Sequence, residues 1–383
     1  MSRATETSRD RLALSLLVEP GDPRLPELLA VHEPGRLVSA IRGGRGVPGL
    51  TVPQAWGERA HDLDQRLAQC LDRARRTGLR WIVPGDREWP TRLDDLDHVD
   101  PLHGTTGAPL GLWLRGTGDL AGLTARSVAI VGARSCTTYG AECASDLAAD
   151  VTDAGWTVVS GAAYGIDACA HRGALAMAGP TVAVLACGAD VDYPRSHSSL
   201  LGRIAEEGLV ISEQPPGQVP MRPRFLSRNR IIAALSVGTV VVEAAARSGS
   251  LNTLHRADQL GRVTMALPGP VTSVASGGAH AAVRDGRAVL VTNGKEVLEE
   301  LGGLGAEESA APVALTELDR LPAAARTTLD GLDWLVVRSM AQIARDVGLT
   351  AREVRSALVL LERRELVARQ GEGWVLLRRA DTA

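Results

Sequence analysis

The chain has 383 residues, enough for two or three domains, and a hydrophobic content of 45% that supplies a sizeable core. Its net charge of −3 excludes a protein that is basic throughout, so any polyanion must be met by local arginine clusters; Lys295 is the only lysine. Cys70, Cys136, Cys143, Cys169 and Cys187 form no CxxC pair, and no apolar run reaches about 18 residues. These features argue against a metal module, a disulfide scaffold and a membrane span, and lead us to expect a cytoplasmic protein.

Residues 1–100 alternate short apolar helical patterns (RLALSLLVEPG, LPELLAVHEPGRLVSAIRGG, LDQRLAQCLDRARRTG) with Pro and Gly breaks. They predict a small helical domain of the helix-hairpin or SAM-like type, with a strand, a turn and a helix at 81–96. Residues 101–302 alternate β-branched runs (LGLWLRG, SVAIVG, WTVVSG, TVAVLACG, LVISEQ, GTVVVEA, RVTMALPG, AVLVT) with helical stretches. That order predicts an α/β fold: an extended Rossmann-like parallel sheet covered on both faces, with ligands beyond the carboxyl ends of its strands. The small, acidic, Pro-containing stretch 303–316 reads as a linker. Residues 317–383 follow the order helix, helix, turn, helix, hairpin of a winged helix, with Gly348 at the turn, Thr350 as N-cap and Gly371-Glu372-Gly373 at the hairpin tip. Its third helix carries Arg352, Arg355, Arg363 and Arg364, but Glu353, Glu362 and Glu365 are interleaved, so phosphate contact and a packing or protein-interaction role both stay open.

The chemistry concentrates in two strand-to-helix turns, VAIVGARSCTTYG at 128–140 and TVVSGAAYGIDACAH at 157–171. Such turns aim backbone N–H groups and a helix dipole at an anion. A dinucleotide requires Gly-x-Gly-x-x-Gly and a ribose carboxylate about 20 residues on. Here Gly132 is followed by Arg134 in place of the second glycine, and the second strand ends in Ser160-Gly161. The arginine fork obstructs a pyrophosphate and suits a phosphodiester. Three further segments reach the same sheet edge: Tyr193-Pro194-Arg195; the run Arg222, Arg224, Arg228, Asn229, Arg230 around Phe225; and Glu243 followed by Ser248-Gly249-Ser250. The arginine run precedes an apolar stretch, which predicts cations at a helix N-terminus, disfavoured there by about 0.3–1 kcal/mol each unless an anion or a buried carboxylate such as Glu243 compensates. Asp167 and His171 share a helix face at i and i+4, which predicts a structural pair or cap rather than catalysis.

Together GARSCTTYG, SGAAYGIDACAHRGAL, CGADVDYP, SRNRIIAALS and VVEAAARSGSLNT, with GRVTMALPG, resemble the DprA (Smf) family of DNA-processing proteins over about 113–301. The resemblance implies a non-enzymatic, cofactor-free, single-stranded DNA-binding protein that dimerises through an extended Rossmann domain, protects incoming strands and loads the RecA recombinase, as in natural transformation. It implies DNA contacts at Gly132, Arg134, Ser160, Gly161, Tyr164, Tyr193, Arg195, Arg228, Asn229 and Arg230, supported by Gly165, Asp167, His171, Glu243, Ser248 and Gly249. Tyr164 stands where many relatives carry a basic residue, so a phosphate contact is lost there or exchanged for base stacking of about 1–3 kcal/mol. Two other readings stay open: a nucleotide-acting enzyme of the phosphoribohydrolase type using Glu243, which lacks the glycine-rich loop those enzymes carry, and a nucleotide-sensing winged-helix regulator, which lacks the ribose carboxylate.

Overall fold

The structure is a computed structural model and describes residues 3–44, 46–48, 51–302, 321–333 and 335–377. The linker expected at 303–316 lies outside the described residues. The chain divides into two compact units, residues 1–306 and 307–383.

The first unit opens with five helices: α1 (Arg3–Leu17), α2 (Leu25–Val31), α3 (Pro34–Arg42), α4 (Gln54–Ala60) and α5 (Leu63–Thr77). They share a core of Leu14, Leu17, Leu37, Ile41, Trp56 and Leu63 that extends to Trp113. Each large apolar side chain so buried contributes about 1.5–3 kcal/mol. Gly78 closes α5 in the left-handed conformation, at φ 66°. Residues 80–98 belong with the sheet: β1 (Arg80–Ile82) pairs antiparallel with β2 (Leu112–Arg115), and a 3-10 helix (Thr91–His98) buries Leu93 and Leu96 in the sheet's main core.

The remaining elements alternate: α6 (Leu120–Ala125), β3 (Ser127–Val131), α7 (Thr138–Asp153), β4 (Thr157–Ser160), α8 (Ile166–Ala176), β5 (Thr181–Leu185), α9 (Ser198–Glu207), β6 (Leu209–Ser212), α10 (Arg222–Leu235), β7 (Gly238–Val241), α11 (Ser250–Gln259), β8 (Val263–Ala266), α12 (Gly277–Arg284), β9 (Val289–Leu290) and α13 (Gly294–Gly302). The nine-stranded sheet has the order β1-β2-β6-β5-β4-β3-β7-β8-β9. Every pair from β6 to β9 is parallel; β2 runs against the rest, which the apolar run LGLWLRG alone does not reveal. Successive strand residues feed opposite faces: Ala129 and Val131 enter one core, Val128 and Ile130 the other. The order reverses at β3, where β4 follows on one side and β7 lies on the other, and such a switch point opens a crevice at the carboxyl ends.

The second unit contains α14 (Ala323–Asp330), α15 (Met340–Val347), α16 (Ala351–Arg363) and the hairpin β10 (Val367–Gln370) and β11 (Gly373–Leu376). Ser339 and Thr350 each form a capping box with Gln342 and Glu353, and Gly348 ends α15 in the left-handed conformation. Among the described residues, no helix is long and apolar enough to cross a membrane.

Candidate nucleic-acid interface

The two glycine-rich turns meet over β3 and β4. Gly165 has φ 75°, and a Cβ there would lie 2.3 Å from the Ala133 carbonyl oxygen, so only glycine lets the second turn close on the first. The Ile166 N–H then donates to Ala133 O at 3.2 Å and ties the turns together. Ala162, fully buried, is held at φ 53°, a strained conformation for a residue with a Cβ.

Protein carboxylates fill the places in these turns where a phosphate is expected. Asp167, in the first turn of α8, accepts the N–H groups of Gly161 at 3.2 Å and Ala163 at 3.4 Å. Glu243, fully buried at the end of β7, accepts the Thr137 N–H at 2.9 Å and its hydroxyl at 2.7 Å. The positive ends of both turns are thus met internally, and an external anion must be met by side chains. Glu243 therefore serves the Arg134 turn, and does not pair with Arg228 or Arg230 as the arginine run suggested.

Those side chains surround an open groove of about 530 Å³ at the switch point. Three guanidinium groups, of Arg134, Arg222 and Arg228, and a single carboxylate, of Asp167, line it, so its local charge is positive although the chain is acidic overall. Arg134 is exposed, and its guanidinium carbon lies 4.7 Å from the Phe225 ring centroid. Phe225 in turn packs 5.9 Å from the Tyr193 ring. This stack holds the fork at the mouth by cation–π attraction and leaves its N–H donors to solvent. Arg195 is also exposed, and among the described residues neither arginine has an ion-pair partner. A smaller neighbouring recess shares Arg134, Tyr193 and Phe225 and adds Tyr164, whose hydroxyl lies 2.9 Å from that of Ser196 and whose ring is 51% exposed.

Several expected contacts turn inward instead. Ser160 is fully buried and its hydroxyl donates to Ile130 O at 2.7 Å; the Gly161 N–H is spent on Asp167. Arg228 and Asn229 line the groove floor, but Arg228 donates to the carbonyls of Gly161 and Val184, and Asn229 donates to Gly249 O at 3.2 Å. A Cβ on Gly161 would lie 2.0 Å from the Arg228 guanidinium, so that glycine makes room for the buried fork. Burial pushes the Asp167 carboxyl up and the Arg228 guanidinium down from their ordinary values, and each is countercharge to the other. Arg230 is 1% exposed and bonds both oxygens of Glu213, at 2.7 and 2.8 Å, away from the groove. Only Arg222 and Arg224 occupy the first turn of α10; Arg228 and Arg230 sit mid-helix, so the helix dipole does not explain them.

His171 does not pair with Asp167. Its Nδ1 lies 2.7 Å from the Thr181 hydroxyl, which donates to Val158 O and so accepts from the ring. Burial, with help from His197 and Arg228, lowers its pKa to about 3, and the ring is neutral and structural. Ser248 and Gly249 form the turn before α11, where the Ser248 and Ser250 hydroxyls lie 2.7 Å apart. The motifs do not single out Arg222, Phe225 or Arg247 as contacts, yet all three border this edge. Arg222 and Phe225 belong to the arginine run that the sequence brings to this edge, and Arg247 lies within VVEAAARSGSLNT, but nothing in either segment marks them as contacts.

This geometry defines a Rossmann-like protein whose switch-point crevice is lined by arginine and aromatic side chains, its turn amides being bonded to carboxylates of the chain itself. The family model described as DNA recombination-mediator protein A matches residues 80–302. The chain belongs to that family, the DprA (Smf) proteins, which are recombination mediators and not enzymes. A DprA-named protein of Mycobacterium tuberculosis is 40% identical over 374 residues, covering 97% of this chain and 95% of its own. The DNA processing protein DprA of Streptococcus pneumoniae is 42% identical over 193 residues, covering 50% of this chain and 67% of its own. The X-ray structure of DprA from Streptococcus pneumoniae matches with a TM-score of 0.63 and 31% identity, covering 76% of this chain and 96% of that one.

Proposed function

We propose that this protein binds single-stranded DNA along the switch-point groove, protects the strand and loads a RecA recombinase on it, as in natural transformation. The observation that carries the reading is the pair of outward guanidinium groups in the groove, Arg134 and Arg222, beside the exposed aromatic rings of Tyr164 and Tyr193, with the exposed Arg195 two residues beyond Tyr193. Guanidinium forks suit phosphodiester oxygens, and exposed rings suit unpaired bases, whose faces a duplex keeps stacked. Membership of a family named for recombination mediation supports the same reading.

In this reading Arg134, Arg195 and Arg222 meet phosphates, and Tyr164 and Tyr193 stack bases. Gly132, Ser160, Gly161, Gly165, Asp167, Arg228, Asn229 and Glu243 hold the groove's shape. Arg230 and His171 hold the core beneath it. The protein acts in the cytoplasm as a homodimer built on its Rossmann-like unit, and residues 321–377 form a winged helix. The test is fluorescence anisotropy of labelled oligo-dT and of a duplex, with a RecA filament-nucleation assay on coated single strands alongside. The reading predicts preference for the single strand, its loss in Arg134→Ala, and faster nucleation with wild type. Equal affinity for duplex and single strand, unchanged in the variant, contradicts it.

A further inference from the structure

The groove does not end at the switch point. A second basin of about 470 Å³ adjoins it on the far side of β7 and shares Leu226, Ser248 and Gly249 with the first. Two arginines, Arg247 and Arg287, and two histidines, His103 and His255, line it, with no carboxylate and no aromatic ring other than the two imidazoles. Arg247 is exposed at the tip of the turn after β7, and among the described residues it has no ion-pair partner. Arg287 lies 2.9 Å from Asp285, so its charge is partly offset.

The basin is built, not incidental. Arg256 of α11 is 1% exposed and donates to Asp100 O at 3.0 Å and Thr105 O at 2.7 Å, which fixes the short loop carrying His103 against the helix carrying His255. On the opposite wall, the Gly278 N–H donates to Ala244 O at 2.7 Å, which docks α12 against the loop leading to Arg247. Asn229 holds the Ser248-Gly249 turn that separates the two basins.

We propose that the strand bound at the switch point continues into this basin, which binds its sugar–phosphate backbone without stacking its bases. This rests on the reading of the switch-point groove as a single-strand site. The recess with Tyr164, the main groove and the second basin then form one track, from the carboxyl ends of β5, β4 and β3 past the turn after β7 to α11 and α12. The aromatic side chains lie at one end and Arg247 at the other, so the first part grips bases and the second only charge.

The test uses the full chain and labelled oligo-dT of two lengths, a dimer short enough to fill the aromatic part alone and a dodecamer that reaches the basin. Arg247→Ala is predicted to weaken the dodecamer about three- to tenfold and to flatten its log–log salt slope by about 0.7, one phosphate's worth. Binding of the dimer is predicted to be unaffected. His255→Ala, on a different element, is predicted to weaken the dodecamer and spare the shorter oligomer, and Arg134→Ala to weaken both lengths. Unchanged melting temperatures exclude misfolding of these exposed-site variants. If wild type binds both lengths while Arg247→Ala and His255→Ala weaken neither, or weaken both lengths alike, the basin is not on the path and this inference fails alone. If wild type binds neither length, the underlying single-strand reading fails with it.

Discussion

Arg134 shows how one substitution redirects a common turn. A glycine at its position would leave backbone close to a pyrophosphate. The arginine instead stands at the mouth, braced on Phe225, while Glu243 occupies the amide end of the same turn. Because Arg134 is exposed and unpaired by any carboxylate among the described residues, Arg134→Ala is predicted to leave the melting temperature unchanged and to weaken oligo-dT binding at least tenfold, about 1.4 kcal/mol or more. Tyr193→Ala is predicted to lose about 1–3 kcal/mol, one stacked base; both are read by anisotropy titration. His171 makes a different prediction, about stability. Its pKa is about 3 when folded and about 6.5 when unfolded, so the unfolded state binds the extra proton between those values. The stabilisation is therefore complete above about pH 6.5 and lost progressively down to pH 3, by about 2 kcal/mol at pH 5. Urea unfolding across this range checks the slope, which His171→Gln is predicted to reduce.

At the scale of elements, α10 separates what the sequence discloses from what it conceals. Its arginines resemble a solvent-facing basic run, yet Arg224, Arg228, Asn229 and Arg230 are all buried. Beyond its first turn the helix lies buried between the sheet and α11, with the 3-10 helix against it, so it has no solvated face there and no amphipathic pattern to reveal its burial. The partner of Arg230 is Glu213, which lies in a different element and could not be chosen over Glu243 from spacing. The turns were legible because their glycines and β-branched approaches are local features; the fate of the buried arginines is tertiary. Burial pushes the Glu213 carboxyl up, opposed by Arg230. Glu213→Ala leaves that guanidinium uncompensated, in a region where burial also holds Arg256 down to about 10, and is predicted to cost about 3–5 kcal/mol in urea unfolding. The double variant Glu213→Leu/Arg230→Met is predicted to recover most of the loss, because a buried pair replaced by apolar groups of similar volume is often neutral.

Over the whole molecule, the alternation of strands and helices announced an α/β sheet, and the reversed β2 is the part that pattern could not disclose. Residues 1–306 contain the groove and all three candidate phosphate-contacting arginines, whereas residues 307–383 form a separate compact unit. A chain ended at Ala306 is accordingly predicted to keep its oligo-dT affinity within about twofold, since the phosphate count is unchanged. The central claim, that a single strand lies across the sheet's carboxyl edge, is tested most directly by photocrosslinking halogenated single-stranded DNA to the full protein and mapping the adducts by mass spectrometry. Adducts are expected at Tyr164, Tyr193 and Phe225, competed by unlabelled oligo-dT and strongly reduced in Arg134→Ala. Adducts confined to residues 321–377, or unchanged in that variant, would contradict it.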